Sequence, residues 1–150
     1  MNRLPKPRRT VGQPLVTVSA SFNRYLRETQ LVVEELFDEG ARVLSPVLPT
    51  AYKEINGGFL LLDGDRPYVD LSIRGVQDRH LACIAQSDFL WVVCPGGYIG
   101  NSTGMEIGAA ISCGVPIYSL DLPNCSRIAA YITIVTEVKI AVLNHKLATI

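Results

Sequence analysis

Leu15-Val-Thr-Val-Ser-Ala20 is rich in β-branched side chains and apolar on both alternating faces. That is the pattern of a strand buried inside a sheet rather than one facing water. Asn23 can cap a helix after this strand, and Leu26, Thr29, Val33, Leu36 and Phe37 recur at helical spacing until Gly40 ends the run. Ala41 to Ser45, backed by Pro46, reads as a second short strand. The opening is therefore a βαβ unit with parallel strands and a right-handed crossover.

Residues 47–72 carry Pro49, Asn56-Gly57-Gly58, Gly64 and Pro67 with no sustained period, and are expected to form a long, partly structured loop. Gly75 to Gln86 reads as a helix with Val76, His80, Cys83 and Ile84 along one side. Phe89-Leu-Trp-Val-Val-Cys94 is a second fully apolar run and predicts a central strand, with Trp91 in the core. Thr103 to Cys113 predicts a helix stopped by Gly114, Val115 to Leu120 a strand, and Glu137 to Leu147 a closing helix. This alternation predicts an α/β fold: a three-layer, doubly wound, mostly parallel sheet of about five strands, Rossmann-like or flavodoxin-like. Such sheets bind ligands beyond the carboxyl ends of their strands. Here that means Ser19 to Asn23, Pro95 to Glu106 and Leu120 to Ser126.

The 150 residues fit one domain, residues 13–150, preceded by a basic, proline-broken stretch over residues 1–12 that is expected to be a flexible leader. With 48% hydrophobic and 19% charged residues, the chain can bury a core. Fourteen basic and fourteen acidic side chains cancel, which argues against nucleic acid as a partner. A low charge density also favours association into a homo-oligomer. No apolar run approaches membrane-spanning length. Cys83, Cys94, Cys113 and Cys125 lack CxxC spacing, so neither a metal site nor a disulfide framework is expected, and a reducing cytoplasm is the expected compartment.

The densest chemical stretch is Cys94-Pro-Gly-Gly-Tyr-Ile-Gly-Asn-Ser-Thr-Gly-Met-Glu106. Its glycines, including Gly97, let the backbone approach a ligand, and Asn101, Ser102 and Thr103 offer small polar groups for sugar or phosphate oxygens. Tyr98 can stack on a base. Neither the P-loop nor the dinucleotide fingerprint is present. Glu106 is expected in the first turn of a helix, ionised by the helix dipole and facing an open crevice as a nucleophile. The competing reading is that Thr103-x-x-Glu106 is a capping box, in which the carboxylate serves its own helix end.

Thr103-x-x-Glu106-Ile-Gly-x-Ala, followed by Gly114-x-Pro116-Ile117 and preceded by the strand entry Ser87-Asp88-Phe-Leu-Trp-Val-Val, resembles the nucleoside 2-deoxyribosyltransferase superfamily. The likeness runs from Val16 through Pro116. It implies that Glu106 attacks the anomeric carbon of a nucleoside or nucleotide and displaces the base. The covalent glycosyl-enzyme is then resolved by water or a second base. It further implies that Ser21, Phe22 and Asn23 lie against the sugar or base, that Asn101 to Thr103 approach the sugar or a 5′-phosphate, and that no metal or organic cofactor takes part; Ser19, at the end of the first strand, is the remaining substrate-binding candidate.

Eight residues before Asp88, where that family commonly places an active-site aspartate, this chain has His80, with Asp78 two positions earlier. His80 can donate a proton to a departing base, because imidazole titrates near neutrality, or it can be a plain structural histidine. Asp78 is the alternative carboxylate. The carboxyl-terminal Leu147-Ala-Thr-Ile150 lacks the polar aromatic ending of some members. Arg74 and Arg79 can meet a phosphate or form a solvated helix face. Pro95-Gly-Gly-Tyr98 is also similar to the glycine-rich loop of lysine-decarboxylase-like phosphoribohydrolases, with two extra residues before the Gly-to-Glu portion. A sensor that binds a nucleotide or an ADP-ribose-like ligand without turnover is the non-enzymatic expectation.

Overall fold

In chain order, the computed structural model, which describes residues 12–148, runs through β1 (Leu15–Ala20), α1 (Phe22–Asp38), β2 (Arg42–Ser45), β3 (Ala51–Ile55) and β4 (Phe59–Leu62). The chain continues through α2 (Ile73–Gln86), β5 (Phe89–Val93), α3 (Asn101–Cys113), β6 (Ile117–Ser119), α4 (Ser126–Ala129), β7 (Thr133–Ile134) and α5 (Val138–Ala148). The main sheet has the order β2-β1-β5-β6-β7, with every neighbouring pair parallel. β1 and β5 are buried at every position because both faces of the sheet are covered.

Side-chain alternation sorts the two covering layers. Val16, Val18, Ala20, Phe89, Trp91 and Val93 pack with Tyr25, Val32 and Leu36 of α1 and Val138, Ala141 and Val142 of α5. Leu90 and Val92 point the other way, against Ile84 of α2 and Ile107 and Ala110 of α3. The result is a three-layer α/β fold of the Rossmann-like kind. On β1, Thr17 and Ser19 fall between the α1-facing positions and so point into the α2/α3 layer. There Thr17 Oγ1 meets Ser87 Oγ at 2.7 Å.

Within residues 47–72 the expected loop is replaced by an antiparallel hairpin, with Ile55 opposite Phe59. Positive φ at Asn56 and Gly57, 44° and 73°, closes it tightly. Ala51 to Glu54 are exposed, so β3 carries no alternating pattern for a reader of the sequence to find. The hairpin is tied to α1 by Asn23 Nδ2 donating to the Gly58 carbonyl at 3.0 Å and Gln30 Nε2 donating to the Pro49 carbonyl at 2.8 Å. α4 and β7 are likewise additions, each too short to show a period. Nearly all of the expected leader, residues 1–11, lies outside the described residues. Among the described residues no helix is long and apolar enough to cross a membrane.

Candidate active site

The sheet reverses its strand order between β1 and β5, and a cavity of about 520 Å³ opens at the carboxyl ends of these strands and of β2. Ser21, Phe22 and Asn23 from the β1–α1 turn, Ser45 from the end of β2, and the β3–β4 hairpin line it. Gln77 and His80 of α2 and Tyr98, Gly100, Asn101, Ser102 and Glu106 around the start of α3 complete the wall.

Glu106 is only 4% exposed, and both of its oxygens are engaged. Ser19 Oγ donates to Oε1 at 2.7 Å, His80 Nε2 stands 2.9 Å from the same oxygen, and Gln77 Nε2 donates to Oε2 at 3.0 Å. On its other side the imidazole meets Ser45, with Nδ1 and Oγ 2.6 Å apart. Phe22 sits edge-on to the imidazole, with ring centroids 6.1 Å apart.

Three expectations about Glu106 are overturned by this geometry. α3 starts at Asn101 with Gly100 as its cap, so Thr103 is the third helical residue and Glu106 the sixth. Glu106 therefore lies beyond the first turn, and no side-chain bond caps the helix, so neither the dipole account nor the capping box holds. Nor is the carboxylate open to the crevice: it forms part of the inner wall, clamped by side chains from β1 and α2.

Burial pushes the Glu106 carboxyl up. The charge of His80 and the hydrogen bonds from His80, Gln77 and Ser19 outweigh it, holding the carboxyl below its ordinary value. A group held down in the fold stabilises above its unfolded value of 4.5 and loses that contribution as pH falls through the lower folded value. The stability advantage of the wild type over Glu106→Gln is therefore expected to shrink between pH 7 and pH 3.5. Urea titrations at the two pH values measure it, and an advantage that grows on acidification contradicts the assigned direction.

Most of the remaining predicted residues gather here, and three do not. Ser19 stands behind the wall on Glu106, while Ser21, Phe22, Asn23, Tyr98, Asn101 and Ser102 line the cavity. Asp78 points away: its side chain is 65% exposed and its carboxylate pairs with Arg74 at 3.6 Å, which removes it from the catalytic set. Thr103 is buried, does not line the cavity, and its Oγ1 has no hydrogen-bond partner. Gly97 faces the opposite way, its carbonyl accepting from Asn124 N at 2.9 Å. Leu120 to Ser126 line no part of this cavity, and Asn124 within them braces the glycine bend.

At Gly97 φ is 86°, and an added Cβ would overlap the Asn124 side chain and come within 3.0 Å of the Leu122 carbonyl oxygen. Gly97→Ala is expected to cost about 1–2 kcal/mol from the backbone conformation alone, and more from the overlap. A urea midpoint equal to wild type would contradict this.

Gln77 and Ser45 escaped the sequence reading. Gln77 lies one helical turn before His80 on the same face, and Ser45 sits at the carboxyl end of a strand; those were the available signals. Arg79 joins the cavity wall, its guanidinium 4.0 Å from the centre of the Tyr68 ring and its Nη1 donating to the Asp70 carbonyl at 2.8 Å, whereas Arg74 is 92% exposed. Among the described residues no three His, Cys, Asp or Glu side chains gather to hold a metal ion. No protein-family model and no curated protein sequence matches this chain.

Proposed function

We propose that the protein binds a nucleoside or nucleoside monophosphate and breaks its N-glycosidic bond, with Glu106 as the nucleophile in a two-step reaction through a covalent glycosyl-enzyme. The observation that carries this reading is a carboxylate on the wall of a switch-point cavity, held by Ser19, Gln77 and His80 and not by its own helix end. An ionised, pre-aimed carboxylate can attack an electrophilic carbon, and three fixed donors reduce the reorganisation needed to aim it. The likeness of the Thr103 to Pro116 segment to the nucleoside 2-deoxyribosyltransferases supports the same chemistry. His80, adjacent to the nucleophile, is the proton donor for the departing base. The same reading takes the protein as a cytoplasmic homo-oligomer acting on a free small molecule, with no metal or organic cofactor.

A second reading, a sensor that binds such a ligand without turnover, is favoured by one observation: both Glu106 oxygens are already satisfied. A panel of ribo- and deoxyribonucleosides and their monophosphates, followed by chromatography for free base, separates the two. Free base from at least one substrate is the expected result. Saturable binding with no base released is the result that replaces the enzyme by the sensor.

A further inference from the structure

His80 is held at both ring nitrogens by groups of different character. Nε2 faces Glu106 Oε1, which while ionised can only accept, so Nε2 carries a proton. Nδ1 faces the Ser45 hydroxyl, which can accept as well as donate. Ser45 comes from the end of β2 and lines the cavity beside His80.

We propose that Ser45 is a positioning residue that keeps a proton on His80 Nδ1, so that Nε2 alone exchanges its proton, first with the departing base and then with the incoming acceptor. This rests on the glycosidic reading above. The proposal has the ring enter the reaction with a proton on each nitrogen, Nδ1 donating to Ser45 Oγ and Nε2 to Glu106. As a Glu106 oxygen bonds to C1′, the C1′–N bond breaks, its electron pair goes to the base nitrogen, and that nitrogen takes the Nε2 proton. The carboxylate has become an ester and no longer competes for the proton.

The neutral imidazole keeps Nδ1–H on Ser45 and presents the Nε2 lone pair. A water attacking C1′ gives its proton to Nε2 as the ester bond breaks, which restores the carboxylate and the imidazolium. A neutral ring protonated on Nε2 instead would have no lone pair there to take the proton from water, and an Nδ1–H donated to the Ser45 oxygen favours the tautomer that does.

The test compares two substrates of the same sugar: a nucleoside, each of the panel above in turn, and the 4-nitrophenyl glycoside of its pentose, whose phenolate departs without needing a proton. Ser45→Ala is expected to lower kcat on the nucleoside about 10²-fold, the scale of a lost general acid. KM should change little, and the loss on the aryl glycoside should be far smaller. Ser45→Thr, which keeps the hydroxyl, is expected to restore the nucleoside rate. Should Ser45→Ala fail to fold, Ser45→Cys, of similar shape but a poor acceptor, must show the same split between substrates. Equal losses on both substrates, or no loss on the nucleoside, overturn the role of Ser45 and leave the glycosidic reading standing. No turnover of either substrate by the wild type overturns both.

Discussion

Glu106→Gln is expected to lower base release by about 10³-fold or more, the scale on which an essential covalent nucleophile acts, while the protein stays folded. The folded state survives because the replacement can be accommodated. One amide oxygen still accepts from Ser19 and His80, and the Gln77 amide can turn to offer its oxygen to the new NH₂. Glu106→Ala is a different case, since it would leave three buried donors without an acceptor and cost both activity and stability. Chromatographic base release together with a thermal melt reads the two effects separately. A Glu106→Gln protein that melts normally and still releases base at more than a tenth of the wild-type rate would remove the nucleophile from the account.

Trp91→Ala carries the largest expected loss of stability, about 3–5 kcal/mol. The indole is 1% exposed on the central strand, between Val18 on β1 and Tyr118 on β6, and packs into the layer covered by α1 and α5. Neither neighbouring strand can move in to fill the space without breaking the parallel ladder. For a chain of this length the loss corresponds to a fall of about 10 °C or more in melting temperature. Urea and thermal unfolding both measure it. A shift of less than about 1 kcal/mol would mean that β5 is not central to the core as described.

The strands that built this core were legible because burial on both faces leaves unbroken apolar runs, Leu15 to Ala20 and Phe89 to Val93. α1 was legible through Leu36 and its neighbours, and of the three segments expected at the carboxyl ends of strands, residues 19–23 and 95–106 contribute to the cavity while 120–126 do not. The β3–β4 hairpin was not, because its first strand is solvated on both faces and only Asn56-Gly57 marked the turn. Glu106 was picked out by the glycine-rich segment around it, and Ser19 and His80 were named as site residues, but the bonds that join them to Glu106 were not legible, nor was Gln77. Ser19 reaches it across 87 residues and Gln77 across 29, and Ser45 meets His80 across 35. No local period reports contacts of that range. The mistaken cap arose the same way: Thr103-x-x-Glu106 has the right spacing, yet the helix begins two residues earlier, at Asn101. Asp78 was the alternative carboxylate two positions before His80, and that displacement along the helix puts it in solvent beside Arg74.

The most direct measurement is to trap the sugar on the enzyme. A nucleoside bearing fluorine at the 2′ position slows breakdown of a glycosyl ester, because fluorine withdraws electrons from the cation-like transition state. After acid quenching and proteolysis, mass spectrometry is expected to find one fluorinated sugar on the peptide containing Glu106, with one equivalent of base released. Stoichiometric base release with no adduct, or with the sugar on any other residue, would contradict the assignment of Glu106 as nucleophile.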